Sequence, residues 1–246
     1  MIHGIDISSY QGKLDFHSVK DNADFVIIRS TYGNGYKDTN FEINRDGARA
    51  VGLCVGFYHF AYPQYNTPEG EATWFTKCVS CQPGEILVLD FEEPVANPVD
   101  WCKRFLDKVT ANMGFKPLIY LSPSFINASD WTPVINAGYG LWLAHYDNNP
   151  VQVDNTPWYT VAMKQYSDKG SINGVTVDLD VFYGDTDVFK KYGNPPPPPI
   201  PQPVSETAIG NETIATLTLS PSQLPSKPPT KFGSLLIRFL RWLRLI

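Results

Sequence analysis

No hydrophobic stretch in this chain reaches the ~20 residues needed to span a membrane. Met1-Ile2-His3-Gly4-Ile5-Asp6 runs directly into strand-like alternation, without a basic segment leading into an apolar one. No secretory leader is therefore expected. Cysteine is scarce: Cys54, Cys78, Cys81 and Cys102 are the only four. Cys78 and Cys81 form a C-x-x-C, but a zinc site needs two further ligands at a recognisable spacing, and Cys54 and Cys102 offer none. Reduced thiols packed as small hydrophobes are the expectation. No serine or cysteine stands beside a histidine in a way that suggests a nucleophile triad, and His59 and His145 read as hydrogen-bonded residues of the fold. A basic excess is also missing from the body of the chain. Residues 1–230 carry 16 Lys/Arg against 25 Asp/Glu, a net charge of −9. That balance argues against nucleic acid as a partner.

The overall charge of −5 hides an asymmetry, since residues 231–246 carry four cations and no acid. A compositional break precedes them. Residues 195–229 hold 11 of the 21 prolines, starting with the unbroken run Pro195–Pro199. Such a stretch cannot build a core. Three parts are expected: a folded domain over 1–193, a Pro-rich disordered linker over 194–230, and a terminal segment over 231–246.

Within 1–193 eight runs read as strands: 2–7, 25–31, 51–60, 86–92, 117–122, 140–146, 161–166 and 175–182. Helical patterns separate the early ones. The clearest spans 98–113, with Asn97 as N-cap, Pro98 at the first position, Trp101, Phe105 and Val109 on one face, and Gly114 as stop. Weaker helical patterns cover 38–50 and 69–80, and 16–22 and 123–129 fit short turns of helix. After 130 the gaps read as loops. Strands alternating with helices imply an α/β fold with a parallel sheet. Eight strands suggest a closed barrel with few helices in its second half, its functional groups at the strands' C-terminal ends.

The densest chemical signal is Ile86-Leu87-Val88-Leu89-Asp90-Phe91-Glu92, a buried-strand run ending in two carboxylates spaced two apart. Alternation places Asp90 and Glu92 on one side. Two crowded acids are costly unless bonded or in use, and crowding raises the pKa of one of them. An acid and an anion in one site suit cleavage of a glycosidic bond. Asp6 lies on the first strand, Asp178 and Asp180 on the eighth. Closure makes those strands neighbours, so Asp6 and Asp178 can meet. Arg29 is the one obvious strand-borne cation that could pair with these acids. Pairing in salt bridges is one alternative reading. A metal site is another, but no Asp-rich loop has calcium-hand spacing. No metal and no cofactor are expected. Aromatic residues recur near strand ends: Tyr32, Tyr58, Phe60, Tyr62, Tyr120, Trp142, Tyr146 and Tyr166. With amides such as Gln165 they suit sugar rings, although core packing explains any one of them equally well.

These motifs together resemble the family-25 glycoside hydrolases, the lysozymes of phages, bacteria and fungi. The resemblance runs in order through Gly4–Gly12 (GIDISSYQG), Phe25–Gly33, Gly56–Phe60, Leu89–Glu92, Ile119–Ser122, Leu141–Tyr146, Lys164–Ser167 and Val177–Phe182, covering 1–190. It implies a flattened, irregular (β/α) barrel with late helices missing. It also implies hydrolysis of the β-1,4 bond between N-acetylmuramic acid and N-acetylglucosamine in peptidoglycan. By position Glu92 is then the general acid. Asp90 is the partner stabilising charge at C1, directly or by orienting the substrate's N-acetyl group. Asp6 and Asp178 are supporting acids. Tyr58, Tyr62, Tyr120, Trp142, Gln165 and Asp180 are expected to bind substrate. Two departures stand out. Asp180 replaces a common Asn and adds negative charge, and Met163-Lys164 precede Gln165 where Trp is common, which weakens a platform there. A chitinase-like N-acetylglucosaminidase and a non-catalytic glycan-binding module are the rival readings.

The resemblance is silent on residues 231–246. There Arg238, Arg241 and Arg244 lie on one side of a helical projection, opposite Leu235, Leu236, Phe239, Leu240, Trp242, Leu243 and Ile246. A basic amphipathic helix of this kind suits an anionic membrane surface, or packs on protein. A monomer is expected, held in the producing cell's cytoplasm before release to the wall, or carried in a virion.

Overall fold

The computed structural model describes residues 1–152 and 156–194. The expected terminal helix, and the expected linker beyond Asn194, lie outside the described residues.

Nine strands form one sheet: β1 (Ile2–Ile7), β2 (Phe25–Tyr32), β3 (Tyr36–Lys37), β4 (Cys54–Phe60), β5 (Ile86–Asp90), β6 (Leu118–Leu121), β7 (Leu141–Ala144), β8 (Val161–Ile172) and β9 (Val175–Phe182). Eight of them close into a barrel in the order β1-β9-β8-β7-β6-β5-β4-β2, completed by a β1–β2 pairing. The short β3, absent from the sequence reading, folds back antiparallel on the end of β2. The sheet is not wholly parallel. β8 and β9 form a hairpin through Asn173-Gly174, both at positive φ. β9 therefore runs antiparallel to both β8 and β1. A two-residue turn cannot return a strand in parallel, so this one connection sets the mixed topology.

Helices α1 (Phe16–Asn22), α2 (Phe41–Ala50), α3 (Pro68–Cys78), α4 (Pro98–Met113), α5 (Pro123–Ala128), α6 (Thr132–Asn136) and α7 (Thr186–Tyr192) complete the domain. α4 has the expected bounds, with Gly114 at φ 80° stopping it. Asn97 caps it differently from the expectation. It sits in the left-handed region with no side-chain cap, and its backbone carbonyl accepts from the Trp101 amide. The strand expected over 51–60 begins only at Cys54, because Val51 and Gly52 (φ 71°) still belong to the turn that ends α2. β5 ends at Asp90, so Glu92 stands beyond the strand. β8 is twice as long as the run 161–166. α6 and α7 were not foreseen.

Strand alternation divides the core in two. Phe25, Ile27, Ile86, Val88, Leu118, Met163 and Phe182 fill the barrel. Val26, Ile28, Leu87 and Leu89 point the other way, onto helix residues such as Phe75 and Phe105. The filling is tight: a Cβ on Gly4 would lie 2.5 Å from the Phe25 ring. The barrel is thus plugged below, and polar groups can be exposed only at its open end. All four cysteines are free thiols, with Cys54 and Cys102 buried.

Candidate active site

The end of the barrel where the parallel strands finish holds a cleft of about 290 Å³. Four carboxyls line it: Asp6 from β1, Asp90 closing β5, Glu92 just beyond, and Asp178 from β9. Asp6 and Asp178 are partners across the β1/β9 pair, as closure required. Because β9 is antiparallel, its first half reaches the same height as the C-terminal ends of its neighbours. Asp90 stands between Phe60 of β4 and Tyr120 of β6, and Tyr120 stands beside Trp142 of β7.

Asp90 is only 6% exposed, whereas Glu92 faces solvent. Both line the same cleft, and two crowded carboxyls are favourable only when one of them keeps its proton. No donor among the described residues reaches the buried Oδ1 of Asp90. Burial, then the charge of Glu92, holds Asp90 well above the ordinary carboxylate range. Burial also raises Glu92, though its contact with Asp90 opposes the rise. The pair is best described as sharing one proton.

Asp6 is also buried, and its pKa is pushed up to about 7 by burial and then by Asp178. Gln165 opposes that rise, with Nε2 donating to Asp6 Oδ2 at 2.5 Å. The amide's orientation is fixed from its other end, where Tyr120 and Tyr146 hydroxyls donate to Oε1 at 2.6 and 2.8 Å. Three strands and the loop after β7 thus hold one Asp6 oxygen in place. Burial, then Asp168, raises Asp178. Tyr58, lining the cleft beside Asp6 and Asp90, keeps its phenol protonated through burial and those charges.

Of the expected substrate contacts, Tyr58, Tyr120, Trp142 and Gln165 line the cleft. Asp180 does not. It is fully buried two residue pairs below Asp178, opposite Gly4, and accepts from Trp142 Nε1 at 2.9 Å. Burial, then Asp6, pushes its pKa far up, so it stays neutral instead of adding the negative charge expected of it. Its role is to orient Trp142. Tyr62 does not line the cleft either. The strand ends at Phe60, and the next turn carries Tyr62 away into contact with Tyr32 and Tyr65. The Tyr62 amide is held by Glu71, which also bonds His59 Nε2 at 2.8 Å. His59 is fully buried outside the barrel, a structural residue as expected.

Arg29, Phe60 and Tyr146 line the cleft without having been assigned to it, as do Ser8, Tyr10 and Gln11. Alternation could have found the first two, since Arg29 follows Phe25 and Ile27 at spacing two, and Phe60 follows Tyr58. Ser8-x-x-Gln11 forms a capping box after β1, a pattern readable in the sequence. Arg29 donates to Asp38 at 2.8 Å and to Ser9 Oγ at 3.2 Å, so the expected cation forms its ion pair outside the acid cluster, and its charge only partly offsets the rise at Asp90. A second strand-borne cation, Lys164, is fully buried and bonds Asp147 at 2.7 Å.

The sequence profile of "Glycosyl hydrolases family 25" matches residues 5–175. The autolytic lysozyme of Clostridium acetobutylicum is 32% identical over 191 residues, which are 73% of this chain and 55% of that protein. A bacterial lysozyme from Streptomyces coelicolor superposes with a TM-score of 0.68 at 26% identity, covering 78% of this chain and 97% of that one. The catalytic domain of an endolysin from a bacteriophage of Listeria monocytogenes gives 0.63 at 28% identity, over 77% and 97%.

Proposed function

Because this chain belongs to glycosyl hydrolase family 25, we propose that it is a muramidase, cleaving the β-1,4 bond between N-acetylmuramic acid and N-acetylglucosamine in peptidoglycan. Such an activity lyses cell walls in the manner of an endolysin. The observation that carries the reading is the carboxyl pair lining the cleft, with Asp90 buried and Glu92 open to solvent.

The chemistry follows from that asymmetry. Of the pair, Glu92 is the member open to solvent, so Glu92 delivers the proton as the C1–O bond breaks. Positive charge develops at C1 while the pair passes from one negative charge to two. Asp90 then stabilises that charge, directly or by orienting the N-acetyl group, in a cleft whose walls keep it strong. Water adds at C1 and its proton returns to the pair. Asp6, steered by Gln165, and Asp178 hold the sugar and set the local charge. Tyr58, Tyr120 and Trp142 form the walls.

Digestion of purified peptidoglycan, followed by identification of the new reducing ends, tests this. Muramic acid is expected. Glucosamine would mean a chitinase-like glucosaminidase instead, and no new ends a binding module. We further infer that residues 231–246 bring the enzyme to anionic envelope lipids through the Arg238/Arg241/Arg244 face. Liposome flotation of the full chain should exceed that of a 1–194 truncation, and equal partitioning would remove the idea.

A further inference from the structure

Beside the cleft, the surface carries a continuous run of aromatic rings. It starts at Phe60, which lines the cleft beside Asp90. The Tyr32 ring lies 5.6 Å from Phe60, Tyr62 lies 5.1 Å from Tyr32, and Tyr65 lies 4.6 Å from Tyr62. Tyr36 branches from Tyr32 at 5.9 Å. Its outer members are open to solvent, Tyr65 at 69% and Tyr36 at 41%.

The rings are held rather than loose. Trp74 Nε1 donates to the Tyr36 carbonyl at 3.0 Å, the Tyr62 amide donates to buried Glu71, and Asn66 Nδ2 donates to the Tyr62 carbonyl at 3.2 Å. Among the described residues none takes a hydrogen bond from the four tyrosine hydroxyls. Clustered apolar surface of this kind marks interaction sites on folded domains. Rigid rings with outward hydroxyls bind at low entropic cost, stacking on apolar faces and bonding to polar rims. Pyranose rings offer both. The run is also continuous with the cleft through Phe60.

We propose that this ridge is a remote binding site for the glycan strand, engaging N-acetylated sugars beyond the pair that is cleaved. The inference rests on the cleft being a glycan site. Its consequence is a preference for long strands, because sugars on the ridge add binding that a short oligosaccharide cannot reach.

The test uses full-length Glu92→Gln, so that ligands bind without turnover. Affinity is titrated by tyrosine and tryptophan fluorescence for a peptidoglycan tetrasaccharide and for a long soluble glycan strand. The long strand should bind about tenfold tighter. Adding Tyr36→Ala and Tyr65→Ala together should bring the long-to-short ratio close to one, and Tyr36→Phe with Tyr65→Phe should preserve it. A ratio near one in the starting protein, or one untouched by the alanines, overturns the proposal. Wild-type cleavage of the tetrasaccharide separates the two readings. Cleavage with no length preference removes the ridge alone. Tyr-dependent binding of the long strand, with the tetrasaccharide neither bound nor cut, removes the cleft alone.

Discussion

Replacing Asp6 with Asn should make this protein more stable above neutral pH while impairing it as an enzyme. Asp6 is 7% exposed and its pKa is raised from 3.8 to about 7, first by burial and then by Asp178. In the unfolded chain the carboxyl loses its proton near 3.8, whereas in the folded domain it keeps it until about 7. Between those values the folded state binds more protons than the unfolded one, so stability falls as pH rises through that window and then levels off. The distance from 3.8 to about 7 corresponds to a cost of up to about 4 kcal/mol. Asn has the same shape, cannot ionise, and still offers an oxygen to Gln165 Nε2. Asp6→Asn should therefore match wild type near pH 4 and exceed it by up to about 4 kcal/mol at pH 8. For a domain of this size that gain is a melting temperature about 8–16 °C higher. Urea unfolding of both proteins at the two pH values measures it. Parallel pH dependence in wild type and variant would refute the assignment of that cost to Asp6. The expected loss of activity makes this a site where stability is given up for function.

Three further outcomes follow from other contacts. Tyr120→Phe removes one of two hydroxyls on Gln165 Oε1, loosening the amide that steers Asp6, and kcat should fall roughly fivefold for a loss of about 1 kcal/mol; unchanged kcat would separate Gln165 from the mechanism. The thiols should be inert in the folded protein, because burial pushes Cys81 up to about 12 and raises Cys54, Cys78 and Cys102 as well. A thiol reagent at pH 8 should label all four in denaturant, and rapid labelling without denaturant would contradict this. Phe105→Ala empties a fully buried site stacked on His59 and Trp101 and should cost about 3–5 kcal/mol by urea denaturation, against under 1 kcal/mol if α4 were loosely packed.

The parts of the site that alternation governs were readable in the chain. Asp90, Tyr58, Tyr120 and Trp142 lie on regular strands, where period two governs the side a residue faces. The meeting of Asp6 and Asp178 needed only the added premise that the barrel closes. Alternation states the side but not the depth, and Asp180 shows the difference. It shares a face with Asp178 yet lies two residue pairs lower, buried and bonded to Trp142. Alternation also ends where the strand ends. Tyr62 continues the spacing of Tyr58 and Phe60, but Glu71 of α3 captures its amide and turns the chain aside. That capture depends on a helix packed through tertiary contacts, which no local pattern encodes. The antiparallel β9 was hidden for a related reason. Its direction depends on the length of one turn at Asn173-Gly174, while the strand itself reads alike either way.

The central claim is that Glu92 donates the proton, and the most direct measurement is the steady-state cleavage of purified peptidoglycan by Glu92→Gln. Gln keeps the size of the side chain and cannot supply the proton. The account expects kcat to fall by about 10²–10⁴, with the melting temperature preserved because Glu92 is exposed. A Glu92→Gln protein that cleaves at close to the wild-type rate would contradict the account.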